Sequence, residues 1–236
     1  MKALRLLTLV AVLLVSGLLL LPELHSQGAA GTIKGTVKLT GTPPAVKPLK
    51  KQADPYCAKN PSNDETVVVN GNGTLKNVAV RIKGPVVGAV ASPTTVNVTL
   101  DQNQCMYVPR VAALGLGQKL SIKNSDPVLH NVHCYNGPQT CFNQAQMKGA
   151  KDIEKELAPG LYKMKCDVHP WMTGYVVVGE NPFVSVTGGT GEFSLANVPA
   201  GTYTVEAWHE LYGTQTAQVT VAAGGAATAD FTFAVK

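Results

Sequence analysis

Leu161-Tyr162-Lys163-Met164-Lys165-Cys166-Asp167-Val168-His169-Pro170-Trp171-Met172-Thr173-Gly174-Tyr175-Val176-Val177-Val178 is the stretch on which the fold turns. Two β-type runs, Leu161–Lys165 and Gly174–Val178, flank a short loop. That loop carries a sulfur, an imidazole and a thioether between Cys166 and Met172. A strand–loop–strand lets one loop present three side chains to a single point, because neighbouring strands fix both loop ends. Upstream, Lys123-Asn124-Ser125-Asp126-Pro127-Val128-Leu129-His130-Asn131-Val132-His133 supplies a second imidazole where another β-type run begins.

The donor chemistry narrows the ion. Two His and one Cys in a trigonal plane with a weak axial Met is the arrangement of a blue-copper electron-transfer site. Structural zinc prefers four Cys or His ligands and rarely recruits Met. Haem attachment needs Cys-x-x-Cys-His, which the sequence lacks. At Cys166-x-x-His169-x-x-Met172 and His130-Asn131-Val132-His133 the chain resembles the cupredoxins, with the short loop spacing of the amicyanin branch. The run Gly117–Asn124 matches the turn and strand that precede the first His in that family.

The resemblance implies one type 1 copper per chain, with His130, Cys166, His169 and Met172 as ligands. It also implies that Asn131 pins the two ligand loops together. Electrons would pass through the His169 edge, the ligand nearest the loop surface in the family. Pro170 and Trp171 are candidates for partner docking, with loop packing an equal alternative for Trp171. His133 is a rival to His130, but residues three apart on a strand point to opposite faces. Family position favours His130.

Outward from the site, short β-type runs separated by Gly and Pro continue in both directions, and no convincing helical periodicity interrupts them. The expected strands before the site are Thr32–Leu39, Val67–Val69, Val78–Ile82, Val96–Leu100, Met106–Leu114, Lys119–Lys123 and Asn131–Tyr135. After it come Phe183–Val186, Phe193–Leu195, Thr202–Trp208, Thr216–Val221 and Ala227–Val235. Residues 143–156 read as a loop, and 41–61 as an irregular connection rich in Pro and Lys. The fold class is all-β: a Greek-key sandwich of the cupredoxin type plus a second small β-sandwich.

That second sandwich has its own resemblance. Gly191-Glu192-Phe193-Ser194-Leu195-Ala196-Asn197-Val198-Pro199-Ala200-Gly201-Thr202-Tyr203-Thr204-Val205 is similar to carboxypeptidase regulatory-like, transthyretin-type sandwiches. Gly31–Val37 is similar to the first strand of such a module, and Leu75–Ile82 offers another. The expected division is 28–94, an amino-terminal β segment; 95–180, the cupredoxin; and 181–236, the regulatory-like sandwich. Either the cupredoxin is inserted into a sandwich built from both chain ends, or an extension precedes it and a separate domain follows. Insertion is the favoured arrangement.

Residues 1–27 read as a signal peptide or an amino-terminal anchor. Lys2 and Arg5 precede an uncharged run from Leu6 to Leu21, closed by Pro22. That places the folded part in the periplasm or outside the cell, with membrane anchoring as the alternative to cleavage. Of five cysteines, Cys166 is claimed by the metal. Cys57, Cys105, Cys134 and Cys141 can form two bridges, with Cys57–Cys105 and Cys134–Cys141 the preferred pairing.

Twenty basic against 15 acidic side chains, scattered rather than clustered, give no nucleic-acid face. Catalytic copper needs an open position or a second copper, and no second His-rich set is present in the sequence, so the chain reads as an electron carrier rather than an enzyme. Its partners would be a redox protein donor and acceptor. An extracytoplasmic copper-binding or cell-envelope adhesion module is the alternative. His209 and Trp208 read as packing residues of the second sandwich.

Overall fold

The structure is a computed structural model that describes residues 29–90 and 97–235. The leader reading at 1–27 and Val96 lie outside the described residues. Among those described, no helix is long and apolar enough to cross a membrane.

Strand β1 (Gly31–Thr40) opens the fold, followed by the one-turn helix α1 (Pro55–Ala58) and β2 (Ala79–Ile82). Next come β3 (Val98–Asn103), β4 (Met106–Val108), β5 (Val111–Leu114), β6 (Leu120–Asn124) and β7 (His130–Asn136). They are followed by β8 (Gln139–Gln146), β9 (Ile153–Lys155), β10 (Gly160–Lys165) and β11 (Thr173–Val178). The chain closes with β12 (Val184–Val186), β13 (Glu192–Val198), β14 (Gly201–His209), β15 (Gly213–Val221), β16 (Ala226–Thr228) and β17 (Phe231–Ala234).

These strands form four sheets in two pairs. One pair has the orders β5-β11-β10-β7-β8 and β4-β3-β6-β9. Its core holds Leu100, Leu114, Leu120, Ile122, Val132, Met164 and Val176. The other pair has the orders β13-β1-β16, with β17 also on β1, and β12-β2-β14-β15. Strands from both chain ends therefore share a sandwich: β1 pairs antiparallel with β13, matching Ile33 to Leu195, and β2 pairs antiparallel with β14, matching Val80 to Ala207. Period-two patterning drives this half. In β13 Phe193, Leu195 and Val198 are buried while Glu192, Ser194 and Ala196 are exposed, and in β15 Val219 and Val221 face in.

A third, smaller cluster joins the two sandwiches. Ala79, Val111 and Val177 are buried there against Leu161, Tyr175, Val186 and Trp208. The Trp208 ring meets the Tyr175 ring edge-on at 5.1 Å. Beside it, the buried Arg110 guanidinium pairs with Glu210, with Nη2 donating to Oε2 at 2.8 Å. An ion pair of this kind costs desolvation but leaves neither charge uncompensated.

Three local expectations change. Met106–Leu114 breaks into β4 and β5 at Pro109, which has no N–H for a ladder. Val67–Val69 contributes only an isolated bridge, Val69 to Leu75. Residues 143–156 are not a loop throughout: β8 runs to Gln146 and β9 occupies Ile153–Lys155. β8 is almost wholly exposed, so it lacks the apolar alternation that betrays a strand. Its backbone pairing with β7 forms it instead.

His209 is fully buried in the second sandwich, stacked on Tyr212 at 4.8 Å, and its Nδ1 accepts the backbone N–H groups of Leu211 and Tyr212. Burial, with a smaller contribution from the Arg110 charge, lowers its pKa from 6.5 to about 4. Between those values the unfolded chain takes up a proton at this position that the folded chain refuses, so stability falls as the pH drops through that window. Relative to pH 8 the loss at pH 5 is about 2 kcal/mol from this group alone. Unfolding free energies of the parent and His209→Asn, measured at pH 8 and pH 5, should diverge by that amount. Parallel pH profiles would refute the assignment.

Candidate metal centre

The four expected ligands come from two places in the five-stranded sheet. His130 is the first residue of β7, while Cys166, His169 and Met172 lie on the loop between β10 and β11. Because β10 sits between β7 and β11, both loop ends are held in a single sheet. The loop is tightened from within: Met172 N–H donates to the His169 carbonyl at 2.9 Å, and Cys166 N–H to the Met172 carbonyl at 3.3 Å. All four residues are buried, none more than 2% exposed.

Ligating atoms of His130, Cys166 and His169 all lie within 4.8 Å of one another. The two imidazoles face each other through Nδ1, 2.9 Å apart, and the Cys166 sulfur is 3.7 Å from His169 Nδ1. Met172 belongs to the same buried cluster as Cys166. Asn131 spans the two loops: its Oδ1 accepts Asp167 N–H at 2.7 Å and lies 3.3 Å from the Cys166 sulfur.

Each imidazole meets a carboxylate on its far side. His130 Nε2 is 2.8 Å from Oδ2 of Asp126, a fully buried residue. Asp126 also accepts from Gln104 N–H, Cys105 N–H and the Tyr56 hydroxyl. His169 Nε2 is 3.5 Å from Asp54 Oδ2. An imidazole that donates its Nε2 proton to a carboxylate presents a lone pair at Nδ1. Two such lone pairs at 2.9 Å repel unless a proton or a metal cation sits between them, so this donor set of two nitrogens and a sulfur fits a cation.

The electrostatics agree with that reading. Burial alone would raise the Asp126 pKa, but the bonds from His130 and the two backbone N–H groups hold it below the ordinary carboxylate range. Burial works against protonated His130, yet hydrogen bonds to Asp126 and Cys166 raise it to about 9. Burial would also raise Cys166, but His130 and the N–H groups of Asn131, His169 and Val168 lower it. Burial and the neighbouring His130 charge lower His169. The surroundings thus push Cys166 toward its thiolate and His169 toward its neutral form, the forms in which both can ligate, while His130 must give up a proton to receive a cation.

A cap covers the site. Asp54 caps the short helix α1 by accepting Tyr56 N–H and Cys57 N–H at 2.8 and 3.0 Å. Cys57 is bonded to Cys105. Lys51, buried, donates from Nζ to the Asn60 and Gln104 carbonyls. The connection at 41–61 is therefore irregular only in part, since 51–60 is anchored at several points. Trp171 packs 5.1 Å from the His169 ring and donates its indole N–H to the Cys105 carbonyl. His169 is 2% exposed beneath this cover. Pro170 and Val168 are exposed on the same loop, and Trp171 is half-buried.

His133 points to the opposite face from His130, stacked on Tyr135 at 4.1 Å and bonded to Asp167 and Thr140. The expected Cys134–Cys141 bridge is absent, and both cysteines are free. Cys134 is buried in the core opposite Met164, whereas Cys141 falls at the register shift between β7 and β8 and is exposed. Cys134 pairs with Phe142 and Tyr135 with Thr140, which leaves Cys141 as the extra residue of a bulge; the bulge presents its thiol to Cys134 as a hydrogen-bonding neighbour rather than as a bonded partner.

Asp54, Tyr56 and Asp126 were not singled out in the sequence. Asp126 lies four residues before His130, and Asp54-Pro55 is a helix-start signal, an N-cap followed by Pro at the first helical position.

A family model of the carboxypeptidase regulatory-like domain matches residues 175–234. No curated protein matches the chain. Among solved structures, the chain is similar to amicyanin from Paracoccus versutus at 20% identity, covering 42% of this chain and 96% of that one, with a TM-score of 0.32. It is similar to a purple cupredoxin from Nitrosopumilus maritimus at 22% identity, covering 35% of this chain and 100% of that one, with a TM-score of 0.32. It is also similar to a Cu-containing nitrite reductase from Thermus scotoductus at 22% identity and a TM-score of 0.32, covering 42% of this chain but only 25% of the reductase. Likeness at this level carries no residue roles.

Proposed function

We propose that this chain is an exported type 1 (blue) copper protein that carries single electrons. The observation that carries the reading is the convergence of His130 Nδ1, His169 Nδ1 and Cys166 Sγ in a buried pocket, with the two Nδ1 atoms face to face. Met172 is the axial candidate because it closes the same loop and is buried with Cys166. Bound there, copper would supply a one-electron couple between Cu(I) and Cu(II).

The protein's own contribution is rigidity. Thiolate and thioether suit the reduced ion, and imidazoles suit both states. The turn inside the Cys166–Met172 loop and the Asn131 tie hold the donors in one geometry for both. Water is excluded by the cap and by Trp171. The reading leaves chemistry on substrate to other proteins, since all four donor residues are buried. A redox protein donor and acceptor are the partners, and export to the periplasm or cell exterior agrees with the Cys57–Cys105 bridge.

Burial of His169 favours a second reading, a copper-binding module without electron transfer. One set of measurements separates them. The chain loaded with Cu(II) should show intense thiolate-to-copper absorption in the visible range and a narrow-hyperfine paramagnetic spectrum. It should also be reduced and reoxidised reversibly by small redox mediators. Loss of both spectral signatures in a folded, loaded sample sinks the copper-thiolate reading. Spectra without reversible reduction leave the binding role.

A further inference from the structure

We propose that Asp126 and Asp54 are positioning residues of the metal centre, so that segment 51–60 is a working part of the site rather than a connection. The inference rests on the copper reading and deepens it. His130 and His169 each turn one nitrogen to the shared centre and the other to a carboxylate, Asp126 at 2.8 Å and Asp54 at 3.5 Å. A carboxylate on the outer nitrogen fixes the ring's tautomer and orientation and strengthens its donation to a cation.

The two carboxylates are built into one device. Tyr56, two residues after Asp54, donates its hydroxyl to Asp126 at 3.0 Å, and the Cys105 backbone N–H donates to Asp126 at 2.7 Å. Cys105 is the disulfide partner of Cys57, which follows Tyr56. The bridge thus fastens the segment bearing Asp54 to the segment that holds Asp126. Lys51 adds a third anchor through the Gln104 carbonyl. Neither Cys57 nor Cys105 can act as a thiolate ligand while they are bonded to each other, so the contribution of this cap to the centre is its carboxylate and its shape.

Two negative charges behind the imidazoles favour the more highly charged ion. Removing either should weaken Cu(II) binding more than Cu(I) binding. Asp54→Ser is the cleaner variant, because a serine oxygen still accepts the Tyr56 and Cys57 N–H groups while it withdraws the charge from His169. Asp126→Asn removes the other charge but keeps an oxygen for only one of the Gln104 and Cys105 N–H groups, which bond to different carboxylate oxygens.

The test uses the full chain and copper alone as probe: competition titrations for Cu(II) and Cu(I), the reduction potential, and thermal unfolding of each metal-free variant. Cu(II) affinity should fall on the order of 10-fold or more for each variant. Each tenfold loss not shared by Cu(I) raises the potential by about 59 mV. A merely structural role would lower the unfolding temperature and leave the potential in place. Affinity and potential equal to the parent's in folded Asp54→Ser overturn the role of Asp54, and Asp126→Asn decides its own residue in the same way. Should Asp126→Asn not fold, Asp54→Ser settles the working role of the cap. Parent protein that binds copper without the visible band sinks the blue-copper reading while the affinity comparison still decides these carboxylates. Parent protein that binds no copper removes both.

Discussion

Cys166→Ser is expected to erase the visible thiolate-to-copper absorption of the loaded chain completely, whereas Cys134→Ser leaves it unchanged. The band needs a sulfur bonded to copper, and Cys166 alone offers one among the three free cysteines, lying 3.7 Å from His169 Nδ1 with its pKa lowered by its neighbours. A serine hydroxyl stays protonated and is a poor ligand for either copper state, so affinity should also fall by orders of magnitude. The fold should survive, because the loop's turn is made by backbone groups of His169 and Met172. Cys134 lies in the same apolar core, opposite Met164 on β10. Its replacement buries a hydroxyl, at a cost of about 1–3 kcal/mol, but touches no ligand. Absorption titrated with copper, beside circular dichroism of each variant, checks both halves. A band that persists in Cys166→Ser ends the assignment.

The second large effect belongs to the Cys57–Cys105 bridge. Replacing both cysteines by alanine frees a loop closed across a sequence separation of 48 residues. In the chain-entropy account such a loop is worth about 4 kcal/mol, a large share of the roughly 5–15 kcal/mol that holds a domain folded. Part of that loss is local. Without the bridge, the cap is tied by the Lys51–Gln104 contact, the Tyr56–Asp126 bond and the packing of Tyr56 on the core. Asp54 should then leave His169, and water should reach the imidazole. The double variant should show a lower denaturant midpoint by that amount and should surrender copper to a chelator at least tenfold faster. Unchanged release with a lowered midpoint would mean that the bridge serves stability alone.

What was legible in the sequence follows from where the physics is local. A seven-residue loop between two strands states its donors outright, and its order with His130 and Asn131 names the pocket. Strong period-two runs such as Gln218–Val221 declare their strands. Asp54 was hidden because it is far from His169 in the chain, and the disulfide, the Lys51 anchor and the Tyr56–Asp126 bond bring them together. β8 was hidden for the opposite reason: it is almost wholly exposed, and its strand character comes from its partner. Cys134 and Cys141 show that two thiols can lie close enough to interact and still be unbonded, which sequence spacing alone does not reveal.

The joining of both chain ends in one sandwich sets an order of manufacture. The ribosome makes β1 first, yet its partners β13, β16 and β17 come last, after every strand of the copper-site half. While the chain is being synthesised, β1 and β2 remain open-edged hydrophobic strands that need shielding. The copper-site half can be finished and stapled while its host is still waiting. β17 completes the sheet on β1, and truncation before it would leave β1 without that partner.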